Sequence, residues 1–225
     1  MFYLFFILVS LSIFLLYNYI RDFNLLKKVT KPNRGTWSER RLVLKLLKFG
    51  IPPQNIFHDL YIKKSNGEFS QIDIVVITGV GIIVIEVKHF SGWVYGMGNR
   101  DKWVQVFNYG KNKYSFYNPV FQNDLHIQSL KNKINSTGNL PFYSLIVFYG
   151  KCVLKNISNI PETTRIVKSE KVIEVIKPLL ENQRIFTEIT GSDILKILNE
   201  GVQNGENKEI QIQHFENVKR YLSIF

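Results

Sequence analysis

Cysteine and acidic residues are both scarce in this sequence. Cys152 is the only cysteine in 225 residues, which excludes an internal disulfide and a metal site built from several thiolates. A single cysteine fits a reducing compartment. Asp and Glu together number 18 against 29 Lys and Arg, which gives a net charge of +11. This balance favours an anionic partner, and nucleic acid and anionic lipid satisfy it equally well.

Charge is absent from the first apolar stretch, residues 2–20. In a helix these residues would extend about 28 Å, close to the thickness of the hydrocarbon core of a bilayer. A cleaved signal peptide normally carries basic residues before its apolar part, and none precedes Arg21. We therefore expect residues 1–21 to form a retained transmembrane anchor, with residues 2–20 in contact with the membrane.

Basic residues are concentrated directly after this stretch, at Arg21, Lys27, Lys28, Lys31 and Arg34. The positive-inside rule places such a flank, and the chain that follows it, on the cytoplasmic side. Residues 22–35 are thus predicted to be a basic juxtamembrane linker that touches anionic lipid. The predicted location is the cell membrane, with a single pass and a cytoplasmic C-terminal domain.

The most informative part of the chain is a pair of neighbouring apolar runs. Residues 70–77 and 82–88 are rich in β-branched side chains and are joined by a short glycine-containing connection, which predicts a β-hairpin. Three charged residues interrupt these runs: Asp73, Glu86 and Lys88. Side chains alternate along a strand, so Glu86 and Lys88 share a face, and Asp73 can lie beside Glu86. Two interpretations are open, a divalent-metal site with an adjacent cation and a buried salt bridge.

Glu39 is a third candidate carboxylate. Residues 36–48 have the apolar spacing of an amphipathic helix. Thr36-x-x-Glu39 at its start matches a capping box, in which Glu39 would serve only the helix end. The alternative is that Glu39 contributes its carboxylate to the site on the hairpin.

Basic and aromatic residues are interleaved in the middle of the chain. Two further strands are predicted at residues 93–96 and 103–107, followed by a polar loop with Lys111, Lys113 and Tyr114. Such a mixture can bind nucleic acid through charge and stacking on the ring. Packing of the aromatic rings on a sheet face is the alternative.

A helix is predicted after this loop, with Asn118 as its N-cap and Pro119 in its first turn. Gln122 and His126 are one helical turn apart and therefore lie together. A polar pair on the surface of the helix is the alternative to a functional role.

The last third of the chain carries no motif that can be tied to chemistry. Residues 142–149 predict an apolar strand, and residues 165–167 a further short one. Amphipathic helices are predicted at 171–180, 192–198 and 210–221. Residues 151–225 are thus predicted to be a C-terminal helical extension of the same domain.

Four short motifs occur in a fixed order: Gly35-x-x-x-Glu39, Gln71-x-Asp73, Glu86-x-Lys88 and Asn118-Pro-x-x-Gln122. In this order the sequence, over residues 34–150, resembles the nuclease-related domain (NERD) family, a branch of the PD-(D/E)xK nuclease superfamily. The resemblance implies an α/β fold with a restriction-endonuclease-like mixed β-sheet flanked by helices, preceded here by one N-terminal transmembrane helix. It places the nuclease core at residues 36–150.

The resemblance also implies a chemistry, the hydrolysis of phosphodiester bonds in DNA or RNA with Mg²⁺ or Mn²⁺ as cofactor. DNA is the expected partner ahead of RNA. The implied metal ligands are Asp73, Glu86, the Val87 carbonyl and Glu39. Lys88 would orient the attacking water or offset charge on the phosphate, and Gln122 would position water or phosphate. The residues expected to contact nucleic acid are Arg40, Lys111 and Lys113.

A protein can keep this fold without catalytic turnover, because fold alone does not determine activity. The second hypothesis is therefore a catalytically silent protein with a nuclease-like fold that binds nucleic acid or serves as a membrane scaffold.

Overall fold

The structure, a computed structural model, describes residues 2–107, 110–134, 140–181 and 192–223. Its helices are α1 (Phe2–Leu26), α2 (Trp37–Phe49), α3 (Pro119–Ile134), α4 (Val172–Glu181), α5 (Ser192–Asn204) and α6 (Lys208–Ser223). Its strands are β1 (Ile56–Lys63), β2 (Phe69–Thr78), β3 (Gly81–His89), β4 (Gly92–Met97), β5 (Lys102–Phe107), β6 (Asn112–Tyr117), β7 (Phe142–Tyr149), β8 (Cys152–Ser158) and β9 (Thr164–Lys168).

The strands form two mixed sheets. The larger sheet has the order β1-β2-β3-β7-β9, in which β1, β2 and β3 are an antiparallel meander and β7 and β9 run parallel to β3. The smaller sheet has the order β6-β5-β4-β8. The predicted mixed α/β architecture flanked by helices is confirmed, but the strands divide between two sheets instead of forming a single one.

Strand β3 is covered on both faces, as its nearly continuous apolar sequence predicts. On one face Ile83, Ile85 and Val87 pack into a core that includes α2 and α4. On the other face Ile82 and Val84 pack against α3 and α5. The even-numbered positions of β3 therefore face α3, and Glu86 and Lys88 continue that series.

Two segments of the chain differ from their predicted secondary structure. Residues 152–158 form a strand that was not predicted, whereas the strand at 164–168 confirms the short one predicted at residues 165–167; each joins one sheet, so the α-helices of the C-terminal extension begin only at Val172. Lys113 lies in strand β6 and pairs with Val106 instead of lying in a loop. Strand β6 is largely exposed and β8 is only partly buried, and neither has a clear apolar alternation, so pairing with β5 and β4 establishes them as strands.

The N-terminal helix α1 is a candidate membrane span. Its residues Tyr3–Leu26 are long and apolar enough to cross a bilayer, and none of the tested window is buried against the rest of the chain. The helix extends five residues beyond the predicted end of the anchor at residue 21. Near its end, the Asp22 carboxylate lies 2.5 Å from Lys48 Nζ at the C-terminal end of α2.

Candidate active site

The paired strands β2 and β3 separate at the two predicted carboxylates. Their antiparallel register runs from Thr78 opposite Gly81 to Ile74 opposite Ile85 and does not continue to Asp73 and Glu86. Beyond that point, Asp73 Oδ2 accepts a hydrogen bond of 2.7 Å from the Val87 backbone N–H. The Asp73 side chain thus replaces the backbone partner that β3 would otherwise find in β2.

Glu86, Lys88 and Gln122 form a connected polar group on the α3 side of β3. Lys88 Nζ lies 2.6 Å from Glu86 Oε1 and donates a hydrogen bond of 2.9 Å to Gln122 Oε1. Glu86 is 1% exposed, whereas the Lys88 side chain is 21% exposed. The amine therefore lies between a buried acid and solvent.

Asn118 explains why the Asn-Pro-x-x-Gln motif places Gln122 beside Lys88. Asn118 Oδ1 accepts a hydrogen bond from the Val120 N–H, which caps α3. Its amide nitrogen donates to the carbonyls of Met97, Gly98 and Arg100. The first turn of α3 is thereby attached to the β4–β5 connection, and Gln122 in that turn faces Lys88.

His126 belongs to the polar group of Glu86, Lys88 and Gln122. Its one-turn spacing from Gln122 is also typical of a polar pair on a helix surface, but here the side chain is buried. It is 8% exposed, and its Nδ1 lies 2.8 Å from Ser70 Oγ. His126 Nε2 lies 3.3 Å from Glu86 Oε2, but the two atoms are not aligned as a hydrogen bond. Neither atom has a hydrogen-bond partner among the described residues. The one-turn spacing from Gln122 was the sequence signal for this placement.

Burial and neighbouring charges act differently on the three ionisable groups of the hairpin. Burial raises the pKa of Asp73 well above its usual range, and the nearby negative charges of Glu86 and Glu39 add to this effect. Burial also opposes ionisation of Glu86, but Lys88 and His126 outweigh it and lower the pKa of Glu86. Burial opposes the charge on Lys88, yet Glu86 and Asp73 raise its pKa. An ionised Glu86–Lys88 pair therefore stands beside an Asp73 that favours its protonated form.

Glu39 lies on α2 and is held by partners other than the hairpin carboxylates. Thr36 caps α2 by accepting the Glu39 N–H, and its hydroxyl donates to Glu39 Oε1 at 2.6 Å. Glu39 Oε2 lies 3.2 Å from His58 Nε2, and His58 Nδ1 lies 2.7 Å from Thr30 Oγ1. Burial opposes ionisation of Glu39, but the His58 and Thr36 hydrogen bonds lower its pKa.

The three predicted carboxylates thus do not form one cluster. Within the described ranges, no group of three or more His, Cys, Asp or Glu side chains could hold a metal ion. Asp73 and Glu86 lie at the point where the strands separate, and Glu39 acts on Asp73 through its charge. His58, on strand β1, is the buried partner of Glu39.

Gly35 accounts for the glycine of the Gly-x-x-x-Glu motif. Its φ of +57° lies in the left-handed region that disfavours other residues. A Cβ at this position would also clash with Glu39 Oε2 and with the His58 ring. The glycine therefore allows the chain to pass directly over the Glu39–His58 contact.

Arg34, Asp59 and Gln71 connect the start of the domain to Asp73. Arg34 Nε donates to Asp59 Oδ2 at 2.9 Å, and Asp59 Oδ1 accepts from Gln71 Nε2 at 3.3 Å. Gln71 Nε2 also donates to Asp73 Oδ1 at 3.2 Å. Arg34 is 6% exposed, so it is a buried partner of Asp59 and not the lipid-facing linker residue that the sequence suggested. Asp59 was absent from the predicted site because its partners are distant in sequence.

The three residues predicted to contact nucleic acid lie on different elements. Arg40 follows Glu39 on α2, and its Nη1 donates to the carbonyls of Arg34 and Gly35 at 2.7 Å each. Lys111 and Lys113 are exposed at the β5–β6 end of the smaller sheet. Their role in binding stays a prediction, as does that of the Val87 carbonyl.

The residues at the β2–β3 separation fit a hard divalent cation. Mg²⁺ and Mn²⁺ prefer oxygen ligands, and Asp73 and Glu86 supply carboxylates from adjacent strands. Glu86 Oε2 is a buried oxygen without a hydrogen-bond partner among the described residues, which a cation would satisfy. The fit rests on these two acids, and Glu39 would have to leave Thr36 or His58 to join them.

These observations define an α/β domain with a carboxylate–lysine site between two separating strands. The family model described as nuclease-related domain matches residues 34–149, just over half of the chain, and the chain belongs to this family. It is also similar to an uncharacterized protein of Bacillus anthracis, with 31% identity over 136 residues. That match covers 60% of this chain and 62% of the relative, so the chain spans about three fifths of the relative's length. No solved structure matches.

Proposed function

We propose that this protein is a membrane-anchored nuclease that hydrolyses phosphodiester bonds of DNA or RNA and depends on Mg²⁺ or Mn²⁺. The observation that carries the proposal is the group formed by Asp73, Glu86, Lys88 and Gln122 where β2 and β3 separate. Membership of the nuclease-related domain family supports it. DNA is the proposed substrate ahead of RNA.

Asp73 and Glu86 would hold the cation. When bound, the ion supplies Lewis-acid polarisation of the phosphate and a water of lowered pKa. The high pKa of Asp73 is consistent with this role, because a group kept protonated by burial and like charges ionises more readily when a cation neutralises its surroundings.

Lys88 and Gln122 would act on the phosphate and on the attacking water. Lys88 keeps its proton beside Glu86, so its ammonium group can offset negative charge that develops on the phosphate. Its contact with Gln122 Oε1 orients the Gln122 amide at the start of α3. The Gln122 amide nitrogen is then a donor for a phosphate oxygen or for the water.

Cleavage assays on the full chain in detergent test this proposal. Plasmid, linear duplex, single-stranded DNA and RNA would each be incubated with Mg²⁺ or Mn²⁺ and, in parallel, with EDTA. We expect metal-dependent cleavage that Lys88→Ala abolishes and that the matched surface variant Glu216→Gln retains. Wild-type rates in folded Lys88→Ala would refute the catalytic role of Lys88.

A second candidate is a catalytically silent protein that binds nucleic acid or organises a membrane surface. The observation that favours it is the pairing of Glu39 with Thr36 and His58, away from a common cluster with Asp73 and Glu86. Salt-dependent DNA binding without cleavage under any metal condition would support this candidate.

Anchoring through α1 is the proposed basis of membrane location. The apolar helix and the basic residues after it support a single pass, with the domain in the cytoplasm. We expect the full chain to stay in membranes after a carbonate wash, and deletion of residues 2–20 to release it. Activity of a C-terminal reporter that works only outside the cytoplasm would contradict the proposed orientation.

A further inference from the structure

An exposed tryptophan, Trp37, stands at the start of α2, two residues before Glu39. Trp37 is 55% exposed and borders a cleft of about 710 Å³. The ring of His89 lies 5.9 Å from the Trp37 ring, and Tyr149 meets Trp37 edge-on at 6.4 Å. With these two rings beside it, more than half of the Trp37 surface stays exposed and open to a ligand.

Two basic side chains border the same cleft. The Arg41 guanidinium lies 5.2 Å from the centre of the Trp37 ring, and Lys151 also lines the cleft. Glu170 contributes one acid to the lining. An aromatic platform flanked by cations is the combination that binds a nucleobase by stacking and the adjoining phosphate by charge.

The cleft is next to Lys88 along the chain. His89 follows Lys88 directly on β3, so the two side chains leave the same strand end on opposite faces. His89 Nδ1 lies 3.3 Å from Ser38 Oγ, which attaches this strand end to the first turn of α2. The cleft therefore adjoins the end of β3 that carries Lys88, on the face of the strand opposite to the Lys88 side chain.

A membrane-interface role for Trp37 is disfavoured by its position on α2. The opposite end of this helix is the one that contacts α1, through Lys48 and Asp22. A helix of 13 residues separates its two ends by about 18 Å. The cleft thus lies at the end of α2 that is remote from the candidate membrane span.

We infer that Trp37, Arg41 and Lys151 form a subsite for one unpaired nucleotide at the end of β3 that carries Lys88. A base must leave its own stack to lie on the Trp37 ring, so the substrate class is single-stranded nucleic acid or a duplex with an unpaired end. That the bound strand is also cleaved rests on the proposed nuclease function, whereas the stacking subsite does not.

Binding in the presence of EDTA tests the subsite without any cleavage. A fluorescently labelled single strand and a blunt duplex of the same sequence would be titrated against the full chain in detergent. We expect Trp37→Ala to weaken single-strand binding on the order of tenfold. Trp37→Phe keeps a stacking face and should bind nearly as wild type. Phe215→Ala, which alters another exposed aromatic residue, on α6, should have no effect.

Several outcomes would overturn the inference. In the first, wild type and Trp37→Ala bind the single strand with equal affinity. In the second, Trp37→Ala loses affinity only for anionic vesicles. If Trp37→Ala does not fold, Trp37→Leu retains apolar bulk without a π face and carries the same expectation. A duplex that binds as tightly as the single strand, with the same dependence on Trp37, would contradict the substrate class.

The binding experiment and a cleavage assay on the same single strand together distinguish this inference from the proposed function. If wild type cleaves nothing with Mg²⁺ or Mn²⁺ but Trp37→Ala loses single-strand binding, the nuclease proposal fails and the subsite stands. If wild type cleaves single strands and Trp37→Ala does so with unchanged KM, the subsite fails and the nuclease proposal stands.

Discussion

Replacing Asp73 by Asn or by Ala separates what this side chain does for the fold from what it does for the proposed reaction. Asp73 Oδ2 is the acceptor for the buried Val87 N–H at 2.7 Å. Asn retains an oxygen for that donor, whereas Ala leaves the donor without a partner. An unsatisfied buried donor costs about 1–3 kcal/mol. We therefore expect Asp73→Ala to be less stable than Asp73→Asn by about that amount.

The charge of Asp73 adds a pH dependence. Its raised pKa means that the folded chain binds this proton more tightly than the unfolded chain does. Ionisation of Asp73 then costs stability as the pH rises from the ordinary value of 3.8 toward the raised pKa, and the loss is complete above it. The stability of Asp73→Asn relative to wild type should accordingly increase across this window and then level off.

Denaturant unfolding of the full chain in detergent, over a pH series with EDTA, measures these differences. Cleavage assays with Mg²⁺ should show no activity for either variant, because each loses a carboxylate that the proposal assigns to the cation. Equal stability of the Asn and Ala variants would refute the role given to the Val87 hydrogen bond. A relative stability of the Asn variant that falls with rising pH would refute the pKa argument.

Other residues give further tests. Gly35→Ala should destabilise the fold by more than about 1 kcal/mol, because its added Cβ meets Glu39 and His58, whereas Gly67→Ala shares the positive φ but has open space; chemical denaturation compares the two. His58→Ala should cost about 1–3 kcal/mol by leaving the buried Glu39 Oε2 without its hydrogen-bond partner, and His58→Ala combined with Glu39→Gln should recover part of that loss; a double variant no more stable than the single one would contradict this. His126→Ala should weaken Mn²⁺ binding, measured by calorimetry, because its Nε2 lies beside Glu86 Oε2; unchanged affinity would show that His126 does not orient Glu86.

The sequence by itself determined the elements whose signals are local. A run of residues without charge indicates a membrane-length helix, and β-branched runs around a glycine turn indicate the β2–β3 hairpin. The alternation of side chains along a strand also sufficed to place Glu86 and Lys88 on one face of β3. Asn118 and Pro119 marked the start of α3, because capping depends on neighbours within a few residues.

Tertiary structure decided the contacts between residues that are distant in sequence. His58 contacts Glu39 although the two are 19 positions apart, and Arg34 contacts Asp59 across 25 positions. No periodic pattern in the sequence predicts such pairs. Glu39 shows the limit clearly: its spacing from Thr36 indicates a cap, and only packing of α2 on β1 adds His58 as a partner. Strand β8 likewise depends on its neighbour β4. Local spacing specifies which side chains share a face, whereas the packing of separate elements specifies what those side chains meet.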